Sequence, residues 1–326
     1  MKQLSSQRRW VLVLRVTGTL LTLGLVVRWI SQQGWDEILE SVGQIGWPLS
    51  ILALLMLMVS RMAVVARWFM LLQGAGNAAS YWEAARLTFA GMFASNFLPT
   101  TIGGDVLRLA AAKQLRLDRI TCAASLVVDR LVAMAGMVLV LPVGLVILFQ
   151  ETLAAGSILP FCLVGAPSGS DSGQSPWRSV RARIRRLGVR FLEALKIWLR
   201  RPASLAGAFG FTLLHMLMLF SMIGLLLGAQ GEELPFLHIA GMWSLVYFIT
   251  LIPISINGLG VQELSLTYVF SQLGGVSMQA ALTLALLIRT LFWLASLPGA
   301  FFLPALLSRK QEELSSGPEA PEGRGA

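Results

Sequence analysis

Between Pro235 and Ser308 only two side chains are charged, Glu263 and Arg289. A stretch of that length cannot present a water-facing surface with so few ionic groups. The rest of the chain points the same way. Of its 326 residues, 56% are hydrophobic and 13% charged, against about 25% charged in soluble domains. Lipid is therefore the solvent, and the fold class is an all-α polytopic membrane protein. A hydrocarbon core about 30 Å thick takes about 20 apolar residues per helical crossing, so the length is used up by membrane segments and leaves no sizeable soluble domain.

The 26 Lys and Arg against 17 Asp and Glu give a net charge of +9. The basic residues lie in short loops beside apolar runs, which is the signature of loops retained on the cytoplasmic side and not of a nucleic-acid surface. Cys122 and Cys162 have no CxxC partner and no His-rich neighbourhood, so neither a disulfide, a metal nor a cofactor is expected. Lys2, Arg8 and Arg9 precede the apolar run Trp10 to Trp29, which lacks an A-x-A site and reads as a retained first span.

Further spans are expected at about Trp47 to Trp68, Leu131 to Phe149, Thr152 to Ala166, Ala203 to Ala229 and Met278 to Leu303. The count is about six transmembrane helices, with both termini cytoplasmic in a bacterial-type inner membrane. Residues 1–310 form the membrane domain, with a basic cytoplasmic loop at about 167–202. Residues 311–326, rich in Pro, Gly and Glu, read as a disordered tail. The nine basic residues between Arg178 and Arg201 suit an amphipathic surface helix touching anionic lipid.

Two segments break the pattern in the same way. Tyr81 to Leu98 leads to Pro99-Thr-Thr-Ile-Gly103-Gly104, and then Asp105 and Arg108 open a short arm, Val106 to Leu117. Phe236 to Ile252 leads to Pro253, then Asn257, Gly258 and Gly260, and Glu263 follows in the short arm Val261 to Leu273. Pro halts a helix by removing a donor, and Gly permits the positive φ of a tight reversal. By their flanking charges the two read as re-entrant hairpins in inverted orientation. Paired discontinuous segments of this kind point to a binding site near the bilayer midplane.

A half-helix restarting after glycines directs N–H groups and its positive end inward, where a phosphate or carboxylate can bind. Arg108 lies one turn from Asp105 and could add a bidentate phosphate contact. The bland account of the same residues is that Asp105 caps the restarting helix and pairs with Arg108. A charge at a helix centre costs about 2.5–3.5 kcal/mol on insertion scales, so Arg61, deep in the second span, needs a reason or must snorkel to the surface. Asp129 and Arg130 precede a charge-free run and read as an edge pair or as site residues. Arg289 is the natural counter-ion for Glu263. His215 and His238 are single, lack ligand spacing and read as satisfied by hydrogen bonds and not as functional.

At these positions the sequence resembles the membrane region of the lysylphosphatidylglycerol synthases, a flippase-like family. The resemblance rests on Asn96-Phe-Leu-Pro99 with Gly103-Gly-Asp-Val-Leu-Arg108, on Asp129-Arg130, and on Ile252-Pro253 with Asn257-Gly-Leu-Gly-Val-Gln-Glu263. It implies a multi-span module that moves or presents polar-headed lipids, and not the synthase activity, which the full synthases carry on a separate soluble domain. The expected function is translocation of an anionic or aminoacylated lipid by a protein that is not an enzyme, with membrane lipids as ligands. Two other readings stand beside it: an intramembrane transferase using Asp105 and Asp129, and a non-catalytic subunit whose basic loop docks a lipid or glycolipid synthase.

Overall fold

The computed structural model describes residues 35–76, 79–97, 103–110, 119–154, 196–198, 200–252 and 255–302, with isolated positions before residue 35. Those residues form helices and turns without strands. In order the helices are α1 (Trp35–Gly74), α2 (Tyr81–Phe97), α3 (Gly103–Ala110), α4 (Arg119–Ala154), α5 (Pro202–Gly228), α6 (Phe236–Thr250), α7 (Val261–Tyr268) and α8 (Met278–Ser296). A π-helical segment, Val269–Leu273, extends α7.

Four stretches are long and apolar enough to cross a membrane: Ile45–Gly74, Ile120–Gln150, Pro202–Gly228 and Met278–Phe302. They correspond to four of the six expected spans. The expected span at 10–29 apart from isolated positions, that at 152–166 beyond Ala154, most of the basic loop and the tail lie outside the described residues. Two boundaries move, and both matter. The second span continues past Trp68 to Gly74, and the span expected to start at Leu131 starts near Ile120. Arg67 and the Asp129-Arg130 pair therefore sit inside their spans and not at the edges. Trp68, at the expected end of that span, is fully buried, and its indole N–H donates to Ser125 Oγ at 3.3 Å. At the other end of α1 the helix kinks at Gly46, which has φ 67.

The ends of the bundle follow from side-chain contacts. Trp198, before α5, donates to the Leu71 carbonyl at 2.8 Å, and Ser204 donates to that of Met70 at 2.6 Å, so α5 starts where α1 ends. Cys122 and Leu126, early in α4, pack in one cluster with Trp68 and Leu72, which brings the start of α4 to the same end. At the far end of α5, Glu232 accepts from the Ser277 N–H that precedes α8, at 2.9 Å.

This arrangement seats the two interrupted segments from opposite ends. The first leaves from Gly74 and returns to the start of α4. The second leaves from the loop after Gly228 and returns to Ser277. In the first hairpin the reversal brings backbone against backbone: a Cβ on Gly104 would lie 2.5 Å from the Gly91 carbonyl oxygen, so only glycine fits. In the second, Asn257, Gly258 and Gly260 all have positive φ, of 50, 71 and 78, which is the left-handed turn that the Asn-Gly-x-Gly string favours.

Candidate functional site

A cavity of about 240 Å³ opens among α1 to α6. Its polar lining comes from Arg61 and Arg67 on α1, Ser95 on α2, Asp105 and Arg108 on α3, Asp129 and Arg130 on α4, His215 on α5 and Tyr247 on α6. Arg61 and His215 fall near the middle of their spans, so the polar lining reaches bilayer mid-depth.

Charges at that depth need partners, and a chain of ion pairs supplies most of them. Arg67 Nε donates to Asp129 Oδ1 at 2.7 Å, and Arg67 Nη2 donates to Oδ2 at 3.2 Å. Both side chains are almost wholly buried. Arg108 Nη1 stands 3.9 Å from Asp129 and 3.6 Å from Asp105. Arg130 closes the chain through Nε and Nη2, at 3.0 and 2.7 Å from Asp105 Oδ2. The fork-on-carboxylate geometry of Arg67 on Asp129 fixes orientation as well as charge and ties α1 to α4, while Arg130 on Asp105 ties α4 to α3.

Two cations remain under-satisfied. Arg108 is 6% exposed, its guanidinium stands 5.0 Å from the Trp68 ring centroid, and its buried Nε has no hydrogen-bond partner among the described residues. Its two carboxylates are at long ion-pair distances. Arg61 lies over the Phe292 ring at 4.4 Å, and among the described residues no carboxylate pairs with it. Beside it, Ser60 Oγ is 2.6 Å from His215 Nδ1.

The first break thus supplies Gly104, Asp105 and Arg108 to the cavity, together with Arg61, Asp129 and Arg130. Gly103 is the first residue of α3. The N–H of Gly104 is occupied by Ser95 Oγ at 3.0 Å. Asn96 does not line the cavity; its amide donates to Ser296 Oγ on α8 at 2.8 Å. Pro99 and Pro253 lie outside the described residues.

The second break forms a separate latch. Glu263 accepts from the Gly260 N–H at 2.7 Å and pairs with Arg289 Nε, while Arg289 Nη2 donates to the Gly258 carbonyl at 3.2 Å. Asn257 sits in the turn. None of Asn257, Gly258, Gly260, Glu263 and Arg289 lines the cavity, and the second hairpin contributes Tyr247, from its entering arm. Both breaks nevertheless lean on α8, at Ser296 and at Arg289, two turns apart or about 10 Å along the axis.

Arg67, Ser95 and Tyr247 line the cavity without being marked by the sequence, and His215, hydrogen-bonded as expected, lines it as well. Arg67 was accessible in principle as the sixth residue after Arg61, within an uninterrupted apolar helix. Single Ser, His and Tyr side chains at no diagnostic spacing carry no such signal.

Four apolar spans, two hairpins seated from opposite ends and an arginine-rich cavity that reaches mid-depth define a polytopic helical membrane protein of the discontinuous-helix type. The chain belongs to the lysylphosphatidylglycerol synthase TM region family, whose pattern it matches over residues 12–299. Membership places it among membrane proteins of lipid metabolism or transport. No curated protein matches the sequence. Among the described residues no group of three or more His, Cys, Asp or Glu side chains is arranged to hold a metal ion.

Proposed function

We propose that the protein binds the headgroup of an anionic or aminoacylated membrane lipid in the arginine-lined cavity and carries it across the bilayer without chemical change. The observation that carries this reading is the surplus of guanidinium groups lining the cavity, four against two carboxylates. A cation is stable there only when paired or solvated, and a lipid phosphate is the anion a membrane offers. The cavity volume lies below the roughly 300–1,000 Å³ of drug-sized pockets, which suits a headgroup whose acyl chains stay in the lipid.

In this reading Arg108 and Arg61 hold the phosphate, Arg67 and Arg130 orient the two aspartates, and those aspartates keep the arginines apart in the absence of ligand. Hairpins seated from opposite ends supply the two elements that alternate in opening the cavity to either leaflet. The Glu263–Arg289 latch fixes the second hairpin on α8. The basic loops support an inner-membrane placement with cytoplasmic termini, and the strongly basic stretch before α5 supports contact with anionic lipid or a synthase that delivers the substrate.

The test is leaflet accessibility of headgroup-labelled lipids in proteoliposomes. The wild type should expose inner-leaflet label to an external quencher, and Arg108→Ala should slow this by about tenfold or more, since charge-assisted contacts carry at least the roughly 1.4 kcal/mol that a factor of ten requires. Absence of movement for every lipid tried, or an Arg108→Ala rate equal to the wild type, refutes the proposal.

A further inference from the structure

The charge balance around the cavity narrows the headgroup. Four arginines, Arg61, Arg67, Arg108 and Arg130, face two aspartates, Asp105 and Asp129. Counted over Arg and Asp alone, the lining carries two uncompensated positive charges. They are not spread evenly. Arg67 is matched atom for atom by Asp129, and Arg130 is held by Asp105 at 2.7 Å. The surplus therefore resides on Arg108, whose carboxylates stand at 3.6 and 3.9 Å and whose buried Nε has no hydrogen-bond partner among the described residues, and on Arg61, which lies over the Phe292 ring and pairs with no carboxylate among the described residues.

We infer that the cavity is matched to a phosphate monoester, a group carrying two negative charges and three terminal oxygens, in preference to a phosphodiester or a zwitterionic headgroup. A diester brings one charge and would leave one arginine unmatched in a medium where that is costly. A zwitterion brings none in net terms. A monoester brings close to two above its second ionisation, near pH 6 for phosphorylated side chains, and offers separate oxygens to Arg61 and Arg108. Gly91 keeps room beside the free donor: a Cβ there would stand 3.4 Å from Arg108 Nε. This inference rests on the lipid-binding reading and adds the charge state of the ligand to it.

Binding of fluorescent phosphatidic acid, phosphatidylglycerol and phosphatidylcholine to the full chain in lipid nanodiscs tests it, with inorganic phosphate as soluble competitor. Phosphatidic acid should bind about tenfold tighter than phosphatidylglycerol at pH 8, and the ratio should shrink as pH falls below about 6, where the monoester loses its second charge. Arg61→Gln should bring the ratio close to one, and Arg61→Lys should keep most of it. Competition by millimolar phosphate identifies the dianion itself as the recognised group; retention of the preference with no competition identifies the lipid-borne monoester. Equal affinities for the two anionic lipids, or a preference that does not change with pH or with Arg61→Gln, overturns the inference while the transport reading stands. Failure of all three lipids to bind removes the inference together with the anionic-lipid form of the transport reading.

Discussion

Arg67 and Asp129 are joined by two hydrogen bonds across 62 positions of sequence, and both are buried inside membrane spans. The pair ties α1 to α4 at the depth where Arg108 leans over from the first hairpin. Removing one partner of such a pair strands a buried charge, which costs about 3–5 kcal/mol, whereas replacing both with apolar groups is often close to neutral. Asp129→Asn should therefore lower the melting temperature in detergent sharply, and Arg67→Met combined with Asp129→Leu should recover much of the loss. Additive losses in the double variant would show that the two residues do not act as a pair.

The first hairpin closes on glycine. A Cβ on Gly104 would meet the Gly91 carbonyl oxygen at 2.5 Å, and a Cβ on Gly91 would meet the Gly104 carbonyl oxygen at 3.0 Å. Gly104→Ala is expected to cost about 1–3 kcal/mol as an overpacking change, with Gly91→Ala milder. Thermal unfolding of the two variants side by side checks the order, and the transport rate should fall in the same sequence.

Glu263 and Arg289 serve the second hairpin's architecture. Arg289→Met leaves Glu263 with the Gly260 N–H alone, and destabilisation should exceed that of changes on the exposed face of the same helix, such as Thr290→Ala. Glu263→Gln with Arg289→Met should restore folding and retain transport, while Arg108→Ala should lose transport with folding intact. A double variant that folds but does not transport would move the second break into the binding machinery.

Opposed entry of the hairpins places the turn after α1 and the loop after α5 on opposite sides of the membrane. Single cysteines at Gly76 and at Glu233, in a background lacking Cys122 and Cys162, should react with an impermeant maleimide from opposite faces. Labelling of both from one face would contradict the fold.

The hairpins were legible because Pro, Gly and Asn act locally: proline disfavours continuation of a helix, and the Asn-Gly-x-Gly string marks the turn in which Asn257, Gly258 and Gly260 take positive φ. The cavity was less so. The span containing Arg67 reads as ending there, and Asp129-Arg130 reads as an edge, because hydropathy charges each ion its full cost of burial. That cost is offset only by a partner on another helix, as with Arg67 and Asp129, and tertiary pairing leaves no trace in a single window. For the same reason Asp105 reads as the partner of Arg108, one turn away, although its shorter contact is to Arg130 on α4. The latch between Glu263 and Arg289 was foreseeable, since no other charge lies between Pro235 and Ser308.

Photocrosslinking addresses the central claim most directly, with a lipid bearing a diazirine beside its phosphate and adducts mapped by mass spectrometry. A headgroup held in the cavity should mark the peptides containing residues 61–67, 104–108 and 129–130, and Arg108→Ala should abolish those adducts. Adducts confined to outward apolar positions such as Val138, Leu139 and Phe149, and unchanged by Arg108→Ala, would contradict it.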